Sequence, residues 1–246
     1  MRTTTVLTAP APVAPRVAAP ALVRLFSLAG VVPLGAFLLV HVGINASVLW
    51  GTAAFARAED AILTLPALGL FETVFVFAPL ALHAGLGAWW TLTRTPLPPP
   101  SPAPPAVTVA TRVTGLVGLV FIVDHVIEQR FGSFHRASEG GAVASELAAT
   151  LSATAYGVPW RGVAYLIGMA CVVFHFSVGL WTWCTVHWPL QTAAARRRAA
   201  WALAAVGSAT WLTGANAIVV HATGARPFAG GDRDPPTEPC PPIERH

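Results

Sequence analysis

The sequence predicts an all-α, polytopic membrane protein: five transmembrane helices in one bundle. Three observations carry that expectation. Hydrophobic residues make up 54% of the 246-residue chain and charged residues only 11%, against about 25% charged in ordinary globular proteins. Mean hydropathy is +0.62. Five apolar runs are each long enough to cross a hydrocarbon core, which needs about 20 helical residues. Together these exclude a cytosolic globular enzyme and a disordered regulator.

Taken in order, the runs extend from Val23 to Trp50, Leu68 to Thr91, Thr108 to Ile127, Trp160 to Val186 and Ala199 to Val220. Residues 1–21 precede them as an Ala/Pro-rich extension, read as flexible and cytoplasmic; its prolines interrupt any signal-peptide core. Residues 22–222 are the spanning domain, and residues 223–246 a polar tail on the outer side. Between the second and third runs, the proline-rich stretch from Pro96 to Pro105 is a stiff extended linker. The long polar connection before the fourth run has room for a short surface helix at Ser145–Ser152.

The net charge of +4 comes entirely from arginine, because the chain has no lysine. These arginines lie between apolar runs rather than in a patch with aromatics, so nucleic-acid binding is not expected. With the N-terminus inside, Arg2, Arg16, Arg24, Arg94, Arg112, Arg196, Arg197 and Arg198 fall on the inner side with no acidic residue among them. All eleven Asp and Glu fall on the other side. That bias predicts an N-inside, C-outside topology. The cysteines say little. Cys171 and Cys184 are too far apart along one helix to bond, Cys240 is in the tail, and no C-x-x-C supports zinc or c-type haem.

Histidine carries the chemistry. Four of eight histidines sit inside the first four runs, one in each: His41, His83, His125 and His175. An ionisable ring in hydrocarbon must be satisfied, and is a functional candidate by default. At about 1.5 Å rise per residue, His41 lies roughly 25 Å above Arg24, His83 roughly 16 Å above Arg94 and His125 roughly 20 Å above Arg112, with His175 near the inner end of its helix. This sorts them into two levels, His41 with His125 outside and His83 with His175 inside. Zinc would want three or four ligands at one point. Haem iron leaves two axial places, so two levels of two fit a pair of bis-His b haems. Gly30, Gly35, Gly43, Gly85, Gly87, Gly115, Gly118, Gly168 and Gly179 offer small faces for a flat macrocycle, although ordinary helix packing uses them equally. Pro79 and Pro33 are expected to kink their helices.

Arg24-Leu25-Phe26-Ser27-Leu28-Ala29-Gly30 leading to His41 resembles the membrane anchor of succinate:quinone oxidoreductases, in its single-chain, five-helix, di-haem cytochrome b558 form. So do Phe71-Glu72-Thr73-Val74-Phe75 leading to His83, Asp124-His125-Val126-Ile127-Glu128-Gln129-Arg130, and Phe174-His175-Phe176-Ser177-Val178-Gly179-Leu180-Trp181. The likeness covers about residues 22–222. It implies two haem b, with His41 and His125 on the outer iron and His83 and His175 on the inner one. It also implies a flavoprotein subunit with covalent FAD and an iron–sulphur subunit on the cytoplasmic face, in a bacterial cytoplasmic membrane. Membrane quinone, menaquinone by family type, would be the electron partner. The succinate-oxidising site would lie on another subunit, and a higher oligomer is left open.

A quinone site on the outer side would use proton donors at the quinone carbonyls. Glu72, Glu128 and Arg130 are the candidates, with Asp124 beside His125. The competing role is structural: Glu128 and Arg130 paired with each other or with water, and Glu72 favoured at a helix N-terminus. The likeness also implies propionate partners for the inner haem at Arg24, Ser27, Arg112 and His187. Val173 stands two before His175, where a fumarate-reducing relative has a Glu for transmembrane proton transfer, so that path is not expected here. His135, His221 and His246 read as surface or interface groups, and Trp50, Trp160, Trp188 and Trp201 as interfacial anchors. Two readings compete. One is a di-haem quinone cytochrome of another respiratory complex, of the hydrogenase or formate dehydrogenase type. The other is a haem-free scaffold or transporter whose histidines line a proton path.

Overall fold

Proline marks where helices begin. Pro20 and Pro105 each stand in the first turn of a span, where a missing N–H loses no bond and the fixed φ is already helical. Pro33 and Pro79 open segments inside the first and second spans, where the missing N–H interrupts the helical ladder. The computed structural model describes residues 17–97, 101–132, 143–187 and 192–224. Most of the N-terminal extension, the middle of the proline linker, His135, Trp188, Cys240, His246 and nearly all of the C-terminal tail lie outside the described residues.

Among the described residues the chain is all-α, as predicted, with one isolated bridge between Ala155 and Val158. Five helices are long and apolar enough to cross a membrane: Pro20–Trp50, Leu68–Leu92, Pro105–Phe131, Trp160–Val186 and Ala193–Thr223. The fifth begins at Ala193 rather than Ala199. Thr192 caps it, its side chain accepting from the Ala195 N–H at 3.1 Å, which lets Arg196, Arg197 and Arg198 sit in helix rather than loop.

The short helix Val143–Ser152 contains the predicted segment. A second one, Thr52–Leu63, joins the first two spans and was not anticipated. Both lie at one end of the bundle with Val48, Tyr165, Ala217 and Val220. They close the largest buried cluster among the described residues, around Phe55, Leu147 and Leu151. All described acidic residues belong to this end, called the acidic end below. The opposite, arginine end carries Arg24, Arg94, Arg112 and Arg196–Arg198.

The predicted kinks appear as breaks in helical regularity. The first span is interrupted at Val32, just before Pro33. The second contains a π-helical turn at Thr73–Phe77, directly before the segment that Pro79 opens. The irregularity therefore lies on the acidic side of His83. A second π turn, Ile127–Phe131, ends the third span. Such turns are rare and concentrate at functional positions.

The fourth span packs along both the third and the fifth, and the first packs on the second. The second and third spans barely meet. Between them runs an open apolar cleft of about 520 Å³, lined by Ala81, Ala84, Gly85 and Ala88 on one side and Leu119, Ile122 and Val123 on the other. Elsewhere large apolar side chains face outward, as a lipid-facing surface requires. Trp50 and Trp201 are about three-quarters exposed, consistent with interfacial anchoring.

Candidate functional site

Two pairs of histidines meet inside the bundle. The rings of His41, on the first span, and His125, on the third, have centroids 5.7 Å apart at an interplanar angle of 77°. Those of His83, on the second, and His175, on the fourth, are 5.9 Å apart at 78°. The first pair lies toward the acidic end, the second toward the arginine end. Tyr165 stands level with His125, and from there to His175 is roughly 15 Å of helix rise.

The His83–His175 pair is held by backbone. His83 Nδ1 lies 2.9 Å from the carbonyl oxygen of Phe26, and His175 Nδ1 lies 2.9 Å from that of Thr111. A carbonyl only accepts, so each Nδ1 carries the proton and each Nε2 keeps a free lone pair. Glycine makes the approach feasible one turn further along each receiving helix. A Cβ on Gly30 would fall 2.5 Å from His83 Nδ1 and Cε1; one on Gly115 would fall 2.8 Å from His175 Nδ1 and 2.7 Å from its Cε1. Phe26 also stacks on His83, 4.3 Å between centroids and within 6° of parallel.

The other predicted glycines divide. Gly35, Gly87, Gly118 and Gly168 receive neighbouring side chains, while Gly43, Gly85 and Gly179 face open space. The small-residue pattern is therefore partly ordinary packing, as the sequence allowed.

Side chains hold the His41–His125 pair. His125 Nδ1 is 3.2 Å from the Tyr165 hydroxyl. That hydroxyl donates to Glu128 Oε2 at 2.8 Å and receives the Gln129 amide at 3.1 Å. Glu128 is ion-paired with Arg161, which also binds Asp124 at 2.9 Å. Across the pair, the Asn45 amide lies 3.5 Å from His41 Nε2 and donates to the His41 carbonyl at 3.0 Å. Phe37 and Phe121, each four residues before its histidine, stack on His41 and His125.

This arrangement fits a metal that brings most of its own ligands. Among the described residues no group of three or more His, Cys, Asp or Glu could hold an ion, which argues against a zinc-type centre. Two imidazoles brought together from different spans, with centroids 5.7 Å apart in one pair and 5.9 Å in the other, fit the two axial places that a porphyrin iron would leave for the protein. The Nδ1–H to carbonyl bonds are the outer-shell contacts that orient such ligands.

The succinate dehydrogenase cytochrome b558 subunit of Bacillus subtilis (strain 168) is 32% identical over 166 residues, which is 67% of this chain and 78% of that protein. The chain belongs to the succinate dehydrogenase cytochrome b558 family. No family profile matches it, and no solved structure matches it.

Within this cytochrome b558 chain the predicted quinone residues gather at the acidic end, but their pairing differs from expectation. Glu128 and Arg130 do not pair with each other: Glu128 binds Arg161, and Arg130 lies 3.3 Å from Glu72. The reason is helical geometry, since residues two apart do not share a face. The Glu72–Arg130 contact ties the residue just before the first π turn to the second π turn, by charge rather than by an aligned hydrogen bond.

At the arginine end, Arg24 and Arg112 are exposed and Ser27 is half-buried. His187 lies against Trp183, ring centroids 4.6 Å apart and tilted by 51°. Partial burial, and then the nearby Arg24 charge, hold its imidazole below the ordinary histidine value. His221, read as a surface or interface group, is buried: its ring meets Phe55 at 4.9 Å, and among the described residues its Nε2 has no hydrogen-bond partner. Tyr165 and Arg161 were missed by sequence reasoning. A tyrosine inside an apolar run was the available signal, because a buried hydroxyl needs a partner.

Proposed function

We propose that this chain is the membrane-anchor cytochrome b subunit of a succinate:quinone oxidoreductase, and that it carries two bis-His b haems. His41 and His125 would hold one iron, His83 and His175 the other. The observation that supports this most is the pair of facing imidazole couples at two depths, each drawn from alternate spans. When bound, the haems would supply one-electron carriage between the iron–sulphur subunit and membrane quinone.

The chain's own residues do the positioning. Phe26 and Thr111 carbonyls fix the Nδ1–H tautomer at the arginine-end pair, and Gly30 and Gly115 let the rings reach them. Arg24, Ser27, Arg112 and His187 are the proposed neighbours of the porphyrin carboxylates there. Residues 22–222 form the haem-bearing domain in this reading, with residues 1–21 and 223–246 as tails. Its N-terminus is cytoplasmic and its C-terminus outside, in a bacterial cytoplasmic membrane. The arginine end would then face the flavoprotein and iron–sulphur partners. Quinone, of the menaquinone type, would meet the acidic end near Glu72, Glu128 and Arg130. Of these, Glu72 has the looser pairing, 3.3 Å from Arg130. The named succinate dehydrogenase relative weighs for this complex over a hydrogenase or formate dehydrogenase cytochrome.

Haem b per polypeptide on detergent-purified protein tests the reading directly. Two per chain is the expected result, falling to one in His41→Ala and in His175→Ala. A folded, colourless protein made with ample haem would overturn it, and would favour the scaffold or transporter. Co-purification with a flavoprotein and an iron–sulphur protein checks the complex.

A further inference from the structure

We infer that Tyr165 is a positioning residue for the outer-level iron ligand, coupling His125 through its hydroxyl to the Glu128–Arg161 ion pair and so setting the potential of that haem separately from the other. The inference rests on the bis-His reading above.

Proton counting supports it. The Tyr165 hydroxyl has one proton and two lone pairs. Its proton goes to Glu128 Oε2, 2.8 Å away. One lone pair receives the Gln129 amide at 3.1 Å, and the remaining one faces His125 Nδ1 at 3.2 Å. His125 must therefore donate, which puts its proton on Nδ1 and frees Nε2 for a metal. This is the same tautomer that backbone carbonyls impose on His83 and His175.

The two levels differ in what lies behind the acceptor. A backbone carbonyl is a neutral dipole. Behind Tyr165 stands a carboxylate, itself held by Arg161, whose other amino group binds Asp124. Tyr165 is 6% exposed, and a hydrogen bond in so apolar a setting is electrostatically stronger than in water. A carboxylate-backed hydroxyl pulls harder on the Nδ1 proton, making the imidazole a more basic ligand. A more basic ligand favours ferric over ferrous iron and lowers the potential.

The experiment is a redox titration of the haem absorbance in the purified chain, comparing wild type, Tyr165→Phe and Glu128→Gln. The wave missing from His41→Ala identifies the outer-level haem. Phenylalanine keeps the ring packed against Phe121 and His125 and removes only the hydroxyl. The expected result is a rise in the outer-level midpoint equivalent to roughly a tenfold change in equilibrium constant, about 59 mV for one electron. The inner-level midpoint should stay put. Glu128→Gln should move the same wave in the same direction by less, and serves where Tyr165→Phe loses its haem. Unchanged midpoints in variants with full haem content, or equal shifts of both waves, would overturn the inference and leave the two-haem reading standing. Absence of haem from the wild-type protein would overturn both.

Discussion

The two histidine pairs solve one problem with different materials. At the arginine end, both partners of the rings are backbone carbonyls, on helices whose glycines admit the ring edge. At the acidic end, the partners are a tyrosine, an asparagine and, behind them, an ion-pair network. Backbone acceptors cannot be removed by substitution, so the first pair is fixed in chemistry and vulnerable only to crowding. Side-chain partners, an accepting tyrosine hydroxyl and a donating asparagine amide, can be exchanged one at a time, so the second is adjustable. Rigidity and tunability are thus separated by half a membrane thickness.

The largest expected effect comes from crowding. Gly30→Val or Gly115→Val places carbon where His83 or His175 now lies. On the proposed two-haem reading, haem content should fall from two to one per chain with the outer-level spectrum retained; two intact haems would show that the glycine notches are dispensable. Next is Arg161→Ala, which strips the cation from Glu128 and Asp124. Arg161 and Glu128 side chains are only 15% and 18% exposed, so the loss should be about 3 kcal/mol, the low end for breaking a buried pair. Thermal loss of the haem spectrum reads it. A change near zero would mean that water reaches this network.

Glu72→Gln should do much less. Its partner Arg130 is 43% exposed, and exposed pairs contribute about 0.2–1 kcal/mol. A large destabilisation would promote this link from surface contact to structural tie. The smallest effect concerns Glu59, on the helix joining the first two spans. Its carboxyl is pushed up to about 7 by burial and then by the neighbouring Asp60. Between the ordinary glutamate value of 4.5 and about 7 the folded state binds more protons than the unfolded one, so stability falls as pH rises through that window. Melting temperature should therefore drop modestly from pH 5 to pH 8. Glu59→Gln should flatten the drop; an unchanged slope would place the titration elsewhere.

Much of the fold was legible because the signals are one-dimensional. Hydropathy marks five spans, and a constant helical rise turns sequence position into depth, which is enough to sort His41, His83, His125 and His175 into levels. What lay hidden depends on rotation about each helix axis and on lateral neighbours. The Tyr165–His125 and Arg161–Glu128 contacts join the third and fourth spans across more than thirty residues of sequence, and nothing in a hydropathy profile gives that azimuth. The helix Thr52–Leu63 was too short and too polar to register as a span. The fate of Glu128 and Arg130 was within reach, since a two-residue offset on a helix turns the side chains apart.

The alternation of partners has a consequence for how the molecule is made. Spans one and two form one hairpin, three and four another, and each histidine couple takes one ring from each hairpin. The hairpins meet poorly along the second and third spans, where the cleft lies open. If each couple holds a haem as proposed, cofactor loading would act as the rivet between two halves of the chain, on the side where packing leaves them unjoined. A newly inserted polypeptide would stay hinged along its fourth and fifth helices until both rivets were set, and maturation in the membrane would be timed by haem supply rather than by helix insertion.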